Sequence, residues 1–164
     1  MELSLTSTSL FASIILTGLS AGFFYAWQVS VIPGTLKVSD VNYLLTMQSI
    51  NKEILNPSFF LIFFGSLIAM TTTSFLTYGS GETFWFTLSA TLVYLLGTFF
   101  VTSAGNVPLN NQLEALNIGK LSMDQISEFR AMYEPKWNRL HLIRTAFSVI
   151  SFILLLMTIN PFRG

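Results

Sequence analysis

Four long runs without a single charged side chain constrain this chain more than any other feature. No Asp, Glu, Lys or Arg occurs between Leu3 and Leu36, between Ile54 and Gly81, between Thr83 and Leu113, or between Thr145 and Phe162. A bilayer core is about 30 Å thick, and a helix needs about 20 apolar residues to cross it. Each of the first three runs holds such a segment. The fourth is short. Thr145 to Ile159 covers about 22 Å at ~1.5 Å per residue, so its helix must begin among the polar residues that precede it. The chain is 52% hydrophobic and only 10% charged, against roughly 25% charged residues in soluble domains. It reads as all-α, a single integral membrane domain over residues 1–164 built on a bundle of four transmembrane helices.

The composition also excludes function classes. A net charge of zero gives no footprint for nucleic acid or an acidic partner. The partner it implies is the lipid bilayer, with a lipophilic small molecule as a candidate ligand. With no cysteine there is no disulfide, thiolate metal site or cysteine nucleophile. The first apolar run follows Glu2 with no Lys or Arg before it. A signal peptide begins with a basic stretch and has a shorter apolar core, so this run reads as a retained span.

Turn and capping residues set the expected map. Helix one covers about Leu10 to Ile32 and stops at Pro33-Gly34. Ser39 or Asp40 caps an additional, non-spanning helix of Val41 to Leu55, ended by Asn56-Pro57. In it Tyr43, Met47, Ile50 and Ile54 recur at helical spacing and should be buried. Helix two covers Phe59 to Tyr78. The Gly79-Ser80-Gly81 turn makes helix three, Thr83 to Ser103, its antiparallel neighbour. Gly105 and Pro108 then oppose continuation. Ser122 with Gln125 forms a capping box for a short helix to Met132. Pro135 suits the first turn of helix four, which ends near Ile159.

Basic residues divide seven to one. Lys37, Lys52, Lys120, Arg130, Lys136, Arg139 and Arg144 fall on one side and Arg163 on the other. The positive-inside rule makes this a multi-pass protein with both long connections cytoplasmic and both termini non-cytoplasmic.

Polar groups inside a bilayer are costly and face a bundle interior or a cavity. Thr87, Thr91, Tyr94, Thr98 and Thr102 form a stripe on helix three. Trp137, His141, Arg144, Ser148 and Ser151 share one face of helix four. Hydroxyls of this kind usually bond their own backbone or glue helices together. Gly18 and Gly22 are spaced for close packing inside the bundle. Trp27, Tyr78 and Trp85 sit where interfacial anchors are expected. At one end of the bundle, Asn106 and Asn110 stand level with His141 and Arg144. Arg supplies permanent donors, His a group that exchanges protons near neutrality, and Asn both donor and acceptor. The set suits a planar oxygenated ligand: His141 and Arg144 as catalytic candidates, Asn106, Asn110 and Trp137 as substrate-binding ones.

The same residues resemble the anthrone oxygenase-like family of small four-helix membrane proteins, long a domain of unknown function, over nearly the whole chain. The resemblance rests on Gly18-Leu19-Ser20-Ala21-Gly22-Phe23-Phe24, on Met47-Gln48-Ser49-Ile50-Asn51, and on Asn56-Pro57-Ser58-Phe59. It continues in Asn106-Val107-Pro108-Leu109-Asn110 and in Trp137-Asn138-Arg139-Leu140-His141-Leu142-Ile143-Arg144-Thr145. It implies an oxidoreductase or binding protein for a lipophilic aromatic or quinone-like molecule. In that version His141 removes a proton from an activated C–H, while Arg144, Asn106 and Asn110 stabilise the oxyanion and Trp137 walls the ring.

Two other readings stand beside it. One is a haem protein with His141 as axial ligand. A protein-only metal cage lacks ligands, and the sequence itself requires no cofactor. The other is a non-enzymatic accessory membrane subunit.

Overall fold

The computed structural model describes residues 4–159, which are helical with no strand among them. Five helices carry the fold: α1 (Leu5–Thr35), α2 (Asp40–Glu53), α3 (Pro57–Leu76), α4 (Glu82–Glu114) and α5 (Met123–Leu156). All but α2 are long and apolar enough to cross a membrane. α1 and α4 each pack against both α3 and α5, closing a four-membered ring. α2 lies across one end, against α5 and the last turns of α4. Lys37, Lys52, Lys120, Arg130, Lys136 and Arg139 belong to that end. Arg163, the lone basic residue assigned to the opposite side, lies outside the described residues.

Local chemistry sets most helix starts. Ser39 accepts the Asn42 N–H at 3.4 Å at the start of α2, and Asn56 accepts the Phe59 N–H at 2.9 Å at the start of α3. Ser122 and Gln125 bond reciprocally at the start of α5. The α3–α4 turn needs glycine, since Gly79 and Gly81 have φ of 80° and 61°.

Three proline expectations do not hold. Helix one does not stop at Pro33, and helix three does not stop near Ser103. Each passes through a π turn, Trp27–Val31 in α1 and Thr102–Asn106 in α4, and continues. The residue before each proline bonds a carbonyl five residues back, Ile32 to Trp27 and Val107 to Thr102. The wider turn absorbs the ring that would clash in an ordinary helix. The third case is Pro135. The segment from Ser122 and helix four are one helix of 34 residues with Pro135 inside it. An internal proline costs about 3 kcal/mol. Tyr133, Glu134 and Trp137, all buried, pin the helix on both sides of it.

α5 is thus about 51 Å long at ~1.5 Å per residue, well beyond the ~30 Å of a bilayer core. Its first half projects and builds a second core with α2. Tyr43, Leu44, Met47, Leu109, Leu113, Tyr133 and Trp137 pack there. Ile50 and Ile54, on the same stripe of α2, are half-buried. Arg130 fastens the chain entering α2. Its guanidinium donates to Glu134 Oε2 at 2.7 Å, Asp40 Oδ1 at 2.9 Å and the Val38 carbonyl at 2.7 Å. It also lies 4.5 Å from the centre of the Tyr43 ring. Burial, and then the charge of Glu134, push the Tyr43 phenol well above its usual range, so it stays protonated.

Between the spans the pattern is inside out. Leu19, Leu61, Phe75 and Leu96 face outward, while Ser13, Thr17, Ser20, Thr73, Thr98, Ser148 and Ser151 are buried. Thr87, Thr91 and Thr102 donate to carbonyls one turn back, and Thr98 donates across to the Arg144 carbonyl at 3.3 Å. Small side chains permit close helix approach. Gly18 meets Phe152 of α5, while Gly22 meets nothing within 4 Å. The tightest approach is at Gly97, where any Cβ would overlap Phe147. Gly97→Ala is therefore expected to lower stability by about 1–3 kcal/mol, whereas Gly22→Ala should be neutral or stabilising. Thermal unfolding in detergent checks this, and equal effects at the two sites would contradict the packing described.

Candidate functional site

The end of the bundle crossed by α2 contains a cleft of about 380 Å³. Helical spacing brings its walls together. On α4, Val107, Asn110, Asn111 and Glu114 stand at i, i+3, i+4 and i+7, which is one face. α5 contributes Trp137 and Arg144. α1 contributes Phe23, Phe24 and Trp27, α3 gives Phe59, and α2 gives Asn51 and Lys52. Phe24, Thr102, Trp137 and Arg144 form the buried end, while Lys52, Leu55, Asn111 and Glu114 form the exposed rim.

The innermost group is the Arg144 guanidinium. It lies 4.7 Å from the centre of the Phe24 ring and 5.1 Å from that of Trp137. Its Nε and one terminal nitrogen reach His141 Nδ1 at 3.0 and 2.8 Å. A guanidinium only donates, so Nδ1 must accept and carries no proton. The proton is then on Nε2, which donates to the Phe24 carbonyl at 3.0 Å. The ring is fully buried and stacks on Trp137, 5.2 Å between centres with 5° between planes. Among the described residues the ion pairs are Lys52–Glu114, Arg130–Asp40 and Arg130–Glu134, so no carboxylate lies within ion-pair distance of Arg144. An uncompensated buried charge costs several kcal/mol. The imidazole and the two aromatic faces offset part of that.

The asparagines take separate parts. Asn110 Oδ1 accepts the Trp137 indole N–H at 2.8 Å and the Tyr133 hydroxyl at 3.2 Å. Its amide N–H groups remain for the cleft. Asn106 lies behind the wall, donating to the Trp137 carbonyl at 3.3 Å. The Asn51 amide nitrogen is buried beside the Tyr133 hydroxyl. The polar groups at the inner end are therefore donors. They suit an acceptor-rich, anionic or carbonyl-bearing head on an apolar body.

Of the residues singled out from sequence, Trp137, Arg144 and Asn110 line the cleft. His141 and Asn106 support it from behind. A general base needs a free lone pair aimed at substrate, and His141 has none, because Nδ1 is taken by Arg144. The same commitment leaves no nitrogen for an axial bond to haem iron. Among the described residues there is no group of three or more His, Cys, Asp or Glu able to hold a metal. Trp27 is half of an aromatic wall, 5.9 Å from Trp137 and 6.2 Å from His141. Sequence reasoning missed Asn51, Lys52, Phe59 and Glu114. Asn51 and Phe59 were visible only as parts of the resemblance segments. Glu114 could have been found from its spacing to Asn110.

Removing His141 strands both the Phe24 carbonyl and the guanidinium. His141→Leu should cost about 3 kcal/mol or more. Arg144→Met removes the charge itself, so the double variant should be more stable than His141→Leu alone. Denaturant unfolding in micelles measures the cycle, and a double variant less stable than the single one would refute the arrangement.

A family model described as anthrone oxygenase matches residues 59–154, more than half of the chain. No curated protein and no solved structure matches it.

Proposed function

The chain belongs to the anthrone oxygenase family, and on that premise we propose that it is a membrane-embedded oxygenase for a lipophilic polycyclic ketone bearing an acidic C–H. The observation that carries the reading is Arg144, a buried guanidinium lining an aromatic-walled cleft with no carboxylate within ion-pair distance among the described residues. A planar substrate would lie between the aromatic walls with its carbonyl oxygen toward Arg144 and the amide N–H groups of Asn110. Loss of the C–H proton moves an electron pair through the rings onto that oxygen. The donors then bind the enolate more strongly than the ketone, which is how preorganised electrostatics lowers a barrier. The enolate reacts with dioxygen. One oxygen atom becomes the new carbonyl, and the other leaves as water with the two hydrogens of the methylene. Trp137 forms a wall, and His141 orients Arg144.

The test is turnover of a hydroxyanthrone by protein in liposomes, followed by quinone absorbance and oxygen uptake. Arg144→Ala is expected to lower kcat/KM about 100-fold or more. Arg144→Lys should recover little of it, because a point charge does not reproduce the planar fork. A wild-type rate no faster than that of empty liposomes would refute the reading.

A further inference from the structure

The geometry points to Glu114 as the catalytic base, and we propose that its carboxylate, not His141, takes the substrate C–H proton. This rests on the oxygenase reading above. Deprotonation needs an acceptor inside the cleft. Its titratable lining groups are Lys52, Glu114 and Arg144. Lys52 and Arg144 are cations that only donate. His141 is behind Arg144 with both nitrogens engaged. Glu114 is the one carboxylate on the wall. One of its oxygens meets Lys52 Nζ at 3.0 Å, and its side chain is 43% exposed. The ion pair engages one of the two carboxylate oxygens, and the residue lines the cleft.

Position supports the assignment. Asn110 and Glu114 are one turn apart on the same face of α4, about 6 Å along the axis at ~1.5 Å per residue. Asn110 is fixed beside Trp137, whose ring carries the Arg144 contact. The polar groups therefore run from Arg144 at the buried end, past Asn110, to Glu114 at the rim. A flat ketone with its oxygen at Arg144 presents its opposite edge outward, toward Glu114. In the step, the C–H bond breaks and an O–H bond forms on Glu114. The freed electron pair ends on the ketone oxygen beside Arg144. The protonated Glu114, on the exposed rim, returns its proton to water. Lys52 holds the carboxylate in place between cycles.

Deuterium uptake at the methylene of a hydroxyanthrone, without oxygen, isolates this step from oxidation. Wild-type protein in liposomes should exchange it faster than empty liposomes. Glu114→Gln should slow exchange about 100-fold or more, while substrate quenching of tryptophan fluorescence persists. Lys52→Gln breaks the same ion pair but keeps the carboxylate, so its exchange should fall far less than that of Glu114→Gln. Wild-type-like exchange in Glu114→Gln would overturn the assignment and leave the oxygenase reading standing. Equal loss in both variants would also overturn it, since the ion pair rather than the carboxylate would then matter. Failure of the wild type to exchange at all would overturn both.

Discussion

The site depends on one buried chain of hydrogen bonds, from the Arg144 guanidinium to His141 Nδ1 and from His141 Nε2 to the Phe24 carbonyl. A guanidinium this deep needs acceptors, and the bundle offers no carboxylate for it. The imidazole solves the problem by accepting on one side and donating on the other. It remains neutral and is held flat against Trp137. The charge of Arg144 is thereby oriented but not cancelled. On the proposed reading its partner arrives from outside, and an oxyanion that forms only during reaction is the partner it would favour most.

The rest of the fold brings these atoms to one depth. Close packing through Gly18 and Gly97 sets α1 and α4 against α5. The π turn in α1 follows Phe24 by one turn. Of the two π turns in α4, Tyr94–Phe99 contains Thr98, which bonds the Arg144 carbonyl, and Thr102–Asn106 leads into the wall residues Val107 to Glu114. Such turns shift the helix face by one residue and occur often at functional sites. Here they also let α1 and α4 run past their prolines. α2 then closes the end of the cleft, and Arg130 ties its entry to α5.

The membrane class, the four spans, the extra helix and the capping residues were legible in the sequence because each rests on local chemistry. Charge-free length, Asn56-Pro57 and the Ser122–Gln125 pair leave little choice. The shared face of Trp137, His141 and Arg144 was legible too, since their spacing is helical. The prolines misled, because a π turn or tertiary packing overrides the local preference at Pro33, Pro108 and Pro135. The roles within the site were hidden for another reason. Whether His141 acts on a ligand or on Arg144 depends on which atoms meet its two nitrogens, and spacing does not encode that. Glu114 was masked in the same way. It looks like an ordinary surface charge until the continued α4 brings it into line with Asn110.

The chain contains one histidine, so a sample labelled with nitrogen-15 only in histidine reports on His141 alone. The account predicts two imidazole signals, with Nε2 protonated and Nδ1 bare, and the same assignment with a substrate-like ketone bound. A proton on Nδ1, or a ring that changes tautomer when the ligand binds, would contradict it and return His141 to the role of proton acceptor.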